Sequence, residues 1–206
     1  MLGWIASRVN GKVGTTVRLR FAEILNPDGT IYTTNLRNAD ATDTHTLRGG
    51  SEETFTPRFT FHGFRYLEVS GYPGKPTLAD LTAEVVSSLS GEPTASVTTS
   101  SEMVNKMWQL GIWGQRGNFL RVPTDCPHRD ERLGWIADAA VFWRTGNYKF
   151  DIAAFANKWM RDVDDAQPPN GAFTNVSPNI GLAILKARLD GRRRGDCAMD
   201  HLAAIR

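Results

Sequence analysis

Residues 123–139 read PTDCPHRDERLGWIADA, a run of ionisable side chains set around two prolines and a tryptophan. Pro123 and Pro127 keep its first half out of a helix, because each ring fixes φ and removes a backbone donor. From about Asp130 a helix is permitted. It would set Glu131, Trp135 and Asp138 at i, i+4 and i+7, on one face. Two carboxylates and an indole on one face suit a saccharide. The ring packs on the apolar C–H face of a pyranose, and the carboxylates accept hydrogen bonds from its hydroxyls. Asp125 and Arg129 stand just before, on the constrained loop. A carboxyl buried among such neighbours can keep its proton at neutral pH and act as a general acid. The same residues also fit a solvated charge cluster at a helix start, where Asp and Glu suit the first turn, with Trp135 in a core. Spacing alone favours that second reading.

Other chemistries find less support. His128 has no second His, Cys or Glu at ligand spacing, so no metal site is expected. Cys126 has no base beside it in sequence. Cys126 and Cys197 form neither a close pair nor a framework of four, so neither a structural disulfide nor a zinc site is expected. No cofactor is expected.

The elements that must position these residues fall into two regimes. The first 90 residues read as β. From Thr16 to Phe21 the chain alternates, with Val17, Leu19 and Phe21 set against Thr16, Arg18 and Arg20, which buries one face of a sheet. Asn26-Pro27-Asp28-Gly29 forms a turn. Thr42, Thr44 and Thr46 alternate with Asp43, His45 and Leu47 before Gly49-Gly50. Phe59 and Phe61 share one face of a further strand, Gly63 reads as a bulge, and Phe64 to Val69 continues it to Gly71-Tyr72-Pro73-Gly74. Another strand is expected within Leu81–Leu89. Short strands at this spacing predict an antiparallel sandwich. Met1 runs almost directly into a strand-like segment, so the β-domain is expected to begin upstream.

Near residue 93 the pattern changes. Thr99 and Glu102 read as a capping box, with Thr99 at the N-cap, and Val104, Met107, Trp108 and Gly111 follow helical spacing. Ile152, Phe155, Ala156, Trp159 and Val163 make one apolar stripe, ended by Pro168-Pro169-Asn170-Gly171. The expected architecture is an α+β multi-domain fragment. An antiparallel β-sandwich (1–92) leads into the first helices of an α-helical domain (93–185), with a separate tail (186–206).

Composition sets outer bounds. The chain has 206 residues, 41% of them apolar and 22% charged, which is ordinary globular usage and excludes coiled coil, collagen and wholesale disorder. No run of about 18 apolar residues exists, so no membrane helix is expected. The N-terminus lacks a basic flank followed by an apolar stretch, so no signal peptide is read. The net charge is +2. Residues 186–206 carry six basic and three acidic side chains, so the excess lies in the tail and the rest is nearly neutral. Arg192-Arg193-Arg194 has no interleaved aromatics, and no nucleic-acid partner is expected. The compartment and the oligomeric state stay open.

One stretch carries a resemblance. Trp113-Gly114-Gln115-Arg116-Gly117-Asn118-Phe119-Leu120 is followed by Val122-Pro123-Thr124-Asp125-Cys126-Pro127 and then by Arg129-Asp130-Glu131-Arg132-Leu133-Gly134-Trp135. Together they closely resemble the bacterial α-L-rhamnosidases of glycoside hydrolase family 78. The likeness runs from about Gly3 to about Ile180 and includes the strands before the helices. It implies an (α/α)6 barrel, the six-hairpin glycosidase architecture, and an inverting hydrolysis of terminal α-L-rhamnosides. Glu131 matches the family's general acid, and Asp125, Arg129, Trp135 and Asp138 match its sugar-contacting residues. His128 stands where Gln is usual, and Ile136-Ala137 replaces a more usual Thr-Gly. The implied partner is a rhamnose-containing glycoside.

Inverting hydrolysis needs a second carboxylate about 6.5–9.5 Å from the acid. In the family that base is a Glu much later in the barrel, beyond the residues present, so this chain is expected to be inactive alone. An (α/α)6 barrel needs about twelve helices and only about three fit here. Phe155 and Trp159 are therefore expected to lie exposed, with poor solubility as a result. After Ile180 the likeness stops. In another reading frame Met199-Asp200 yields a Trp that matches the family's continuation, so residues 186–206 are expected to be out of frame or poorly ordered. The alternatives are a non-catalytic carbohydrate-binding or structural β-sandwich with a helical appendage, and another (α/α)6 glycosidase.

Overall fold

The computed structural model describes residues 1–89 and 91–181. The expectations for residues 186–206, Cys197 among them, lie outside the described residues. The chain divides into two units. One is Met1–Val86 with Pro127–Glu131; the other, within the described residues, is Ser87–Cys126 with 132–181.

The first unit is built on two central strands. β1 (Leu2–Val9) is apolar at Leu2, Ile5 and Val9, all buried. β2 (Thr16–Ala22) buries Val17, Leu19 and Phe21 as its alternation requires. A short hairpin follows, β3 (Ile24–Leu25) and β4 (Ile31–Tyr32), closed over the Asn26–Gly29 turn by the Gly29 N–H donating to the Asn26 carbonyl. Next come β5 (Thr42–Thr46), β6 (Glu53–Phe55), β7 (His62–Gly63), β8 (Tyr66–Ser70) and β9 (Leu81–Val85). β6, β7 and β9 pair antiparallel with β1, and β5 and β8 pair antiparallel with β2. Ile5 and Val9 from the first sheet share one core with Val17, Leu19, Phe21, Leu47 and Phe64. This is the expected sandwich.

Two local expectations change here. Phe59 is fully exposed and no strand forms at 59–61. Gly63 is not a bulge but the end of β7. Beyond it the Phe64 N–H donates to Met1 O and the Arg65 N–H to Ala22 O, so the chain crosses from the first sheet to the second. Strands that switch sheets make such corners. Spacing cannot show them, because each half reads as ordinary strand.

The second unit holds α1 (Glu102–Asn118), β10 (Phe119–Leu120), β11 (Val122–Asp125), β12 (Leu133–Gly134), α2 (Ile136–Lys149) and α3 (Ala153–Asp165). These are the three α-helices of the described residues. The N-cap of α1 is Ser101, whose hydroxyl accepts from Val104 N–H, rather than Thr99. Thr99 is used one step earlier. Its hydroxyl accepts from Ser101 N–H, and its backbone exchanges hydrogen bonds with the Asn105 amide.

α3 buries Phe155, Ala156, Trp159 and Val163, the stripe its spacing predicts. Contrary to the expectation of exposure, Phe155 and Trp159 are 8% and 3% exposed. Phe119 stacks on Phe155 at 4.6 Å and Trp143 on Trp159 at 5.5 Å, so the three helices close their own core. Exposed apolar surface lies instead on α1, at Met103, Val104, Met107, Leu110 and Trp113. α1 buries Ile112 and Gln115, with Trp108 packed against the core. Its inward stripe is thus displaced from Val104 and Met107. Both stripes are apolar, and α2 marks the buried one: Gln115 donates to Gly146 O, and the Lys149 ammonium lies over Trp108. Among the described residues no helix is long and apolar enough to cross a membrane.

Candidate active site

β11 and β12 form a hairpin in which Thr124 faces Gly134 and Asp125 faces Leu133. Asp125 and Leu133 are its last pair. The loop that they close, residues 126–132, carries the ionisable run. β12 is held on its other side as well. Ser177 N–H donates to Gly134 O at 2.9 Å, Ile136 N–H donates to Asn175 O at 3.0 Å, and Trp135 bridges to Val176. A Cβ on Gly134 would lie 2.3 Å from Ser177 O, so the close approach requires glycine.

This framework excludes the helix expected from Asp130. α2 begins at Ile136, with Trp135 as its N-cap residue. Glu131, Trp135 and Asp138 therefore do not share a helical face. Residues 133–134 spend their backbone bonds on strand pairing, and a first helical turn cannot form through them. Of the three, Asp138 alone is helical. It sits in the first turn of α2, where the helix dipole favours a carboxylate.

Within the second unit the structure brings Asp125 and Asp138 together. They line one cavity of about 380 Å³ with Gln115, Asn118, Thr124 and Phe142. The size falls in the ~300–1,000 Å³ range of small-molecule sites. Gln115 is 2% exposed and donates from Nε2 to Gly146 O at 3.2 Å. Its Oε1 is buried with no hydrogen-bond partner. Trp135 is half-buried at the start of the same helix.

Arg129 and Glu131 belong to the first unit, with Pro127, His128 and Asp130. Arg129 donates to Glu131 Oε2 from Nε at 2.8 Å and approaches the same oxygen with Nη2 at 2.7 Å. Arg37 brings Nη1 to within 3.2 Å of that oxygen. One carboxylate oxygen thus faces two guanidinium groups, and the side chain is 24% exposed. Asp130 accepts from Asn38 N–H at 3.3 Å, and His128 lies 3.4 Å from Glu23. His128 packs over Gly63, where a Cβ would come within 2.8 Å of the His128 Cβ. The loop is therefore anchored at three points to this unit.

Arg37 escaped the sequence reading. It follows a single turn of 3-10 helix, Thr34–Leu36, and adopts φ 57°, a left-handed value that is costly for a residue with a Cβ. No local pattern marks it, because its partner is distant in sequence. Among the described residues no group of three His, Cys, Asp or Glu side chains is placed to hold a metal ion.

Residues 1–87 match the family described as bacterial alpha-L-rhamnosidase concanavalin-like domain. Residues 92–191 match the bacterial alpha-L-rhamnosidase 6 hairpin glycosidase domain. An alpha-L-rhamnosidase of Streptomyces avermitilis is 56% identical over 181 residues, which is 88% of this chain and 18% of that protein. One from Formosa agariphila is 41% identical, over 87% of this chain and 20% of that protein. The crystal structure of the Streptomyces avermitilis enzyme complexed with L-rhamnose superposes with a TM-score of 0.83 at 55% identity, over 88% of this chain and 18% of that one. The chain thus spans about a fifth of the length of the curated relatives it matches.

Proposed function

The chain belongs to the bacterial α-L-rhamnosidases, and on that premise we propose that it carries the acid half of an inverting hydrolase of terminal α-L-rhamnosides. Glu131 is the general acid. It protonates the glycosidic oxygen as the bond to the anomeric carbon breaks, and a base takes a proton from the water that attacks the opposite face. In the family that base is a Glu of a later part of the barrel. Asp125 and Asp138 accept hydrogen bonds from sugar hydroxyls, Trp135 offers its ring to the C–H face, and Arg129 fixes the acid and donates to the sugar.

The observation that carries this reading is the setting of Glu131. The carboxylate that the family motif marks is the one whose Oε2 faces both Arg129 and Arg37. The two guanidinium groups hold that oxygen in one orientation, which fixes the carboxyl in the geometry that proton transfer needs. The shared lining of Asp125 and Asp138 supports a polar sugar subsite. The relative solved with L-rhamnose supports the ligand class.

A chimera tests it. Residues 3–180 replace the matching segment of the Streptomyces avermitilis relative, and release of an aryl group from an aryl α-L-rhamnoside is followed. Turnover with inverted product is expected, and Glu131→Gln should lower kcat by at least about 100-fold. Full activity in the Gln variant would remove Glu131 from the acid role.

A further inference from the structure

The solvent face of β2 is unusually cationic for a sheet surface. Thr16, Arg18 and Arg20 point outward, in register with Thr46, Thr44 and Thr42 of β5, while Ser70 and Glu68 of β8 stand opposite Arg18 and Arg20. The segment from Thr33 to Ala41 borders this face and makes a cleft of about 430 Å³. Arg18, Arg20, Arg37, Thr42 and Thr44 line it, and Asp40 is the one carboxylate of the lining. Three guanidinium groups around one space repel each other unless anions offset them. Two have partners. Arg20 binds Glu68 at 2.6 Å, and Arg37 lies 3.2 Å from Glu131. Arg18 has no ion-pair partner among the described residues, and it stands beside the hydroxyl of Thr44, its neighbour on β5.

We propose that this cleft binds the anionic group, carboxylate or sulfate ester, of an acidic saccharide. A guanidinium fork matches a planar or tetrahedral oxyanion with two parallel N–H donors. The threonine hydroxyls can donate to or accept from a sugar ring. The volume lies within the range of small-molecule sites, about 300–1,000 Å³. Arg18 supplies the guanidinium that no ion pair holds among the described residues, and Arg37 ties the cleft to the carboxylate proposed as the acid. The saccharide part rests on the rhamnosidase reading; the anion part rests on the arginines alone.

The 206-residue chain is titrated with glucuronate, glucose 6-sulfate, glucose and inorganic sulfate, with binding read by calorimetry and by amide shifts of β2 and β5. At least one acidic sugar is expected to bind with a millimolar Kd. Glucose should bind at least about ten-fold more weakly. Arg18→Gln should cost at least about ten-fold in Kd, and Arg18→Lys less. Raising NaCl from about 50 to about 500 mM should weaken binding further. Binding by glucuronate alone assigns a carboxylate ligand, and binding by the sulfate ester alone a sulfated one. Equal binding of glucose, an unchanged Kd in Arg18→Gln, inorganic sulfate binding as tightly as either sugar, or no binding up to about 50 mM overturns the proposal. These readouts need no turnover. A chimera dead toward rhamnosides would sink the catalytic reading and leave this result standing.

Discussion

Arg37 Nη1 lies 3.2 Å from Glu131 Oε2, which joins a turn on the β-sandwich to the carboxylate marked by the family motif. The arginine side chain is 51% exposed, so the pair contributes only about 0–1 kcal/mol to stability. On the proposed reading its effect is to orient Glu131. In the chimera Arg37→Ala should lower kcat about ten-fold, with KM changed less than about two-fold and Tm nearly unmoved. Arg37→Lys should recover part of the loss. A variant with unchanged kcat would show that Arg129 orients Glu131 unaided.

Glu53 offers a check on stability against pH. It is 7% exposed, and its carboxyl is held below the usual glutamate range. The backbone N–H of Gly49 contributes most, and that of Arg48 and the Arg48 side chain add to it. A depressed folded pKa contributes stability above the unfolded value, near 4.3, and loses it as pH falls through the folded one. Glu53→Gln should therefore lower Tm at pH 7, and the gap to the parent should close as pH drops through about 4. A gap that holds constant with pH would contradict this.

Lys149 works with the opposite charge. Its ammonium lies over Phe142 at 5.2 Å and Trp108 at 5.8 Å, and burial lowers its pKa from the usual lysine value. The unfolded chain then binds the proton more tightly than the folded one. Stability should rise with pH between the lowered folded pKa and the unfolded value near 10.4. Lys149→Met should remove that slope, as urea unfolding at pH 7 and pH 10 would show.

Gly134 is the tightest point of the loop framework. Gly134→Ala drives a Cβ to within 2.3 Å of Ser177 O and 3.3 Å of Trp159 Nε1. Overpacking of this kind costs about 1–3 kcal/mol. Reduced Tm with weakened amide protection at residues 122–125 is expected. Unchanged protection there would mean that β12 is not what holds the hairpin.

The exposed apolar residues of α1 predict association rather than instability. Met107→Glu with Leu110→Lys should reduce dye binding and aggregation at unchanged Tm, since these side chains are 63% and 61% exposed. Phe155→Ala, in the core, should cost about 3–5 kcal/mol.

Much of this chain was legible from its sequence. The alternation of Val17, Leu19 and Phe21 and the stripe Phe155–Val163 each bury the face that their period indicates. Period two and period 3.6 are local properties, written into successive residues. The resemblance of residues 113–135 named the family, which the family matches bear out. It did so because a long run of specific residues carries more information than spacing.

What failed was non-local. The helix expected from Asp130 gave way to strand pairing with Thr124–Asp125 and to anchoring at Asn175–Ser177. Those partners compete for the same backbone groups, and no window around Asp130 contains them. α1 offered two apolar faces, and the packing of α2 against Trp108 and Gln115 chose between them. Residue types, the two regimes of periodicity and the family motif were determined by the sequence alone. The partner of Glu131, the shared cavity of Asp125 and Asp138 and the burial of Phe155 and Trp159 were decided by tertiary structure, because each depends on groups far apart in the chain meeting in space.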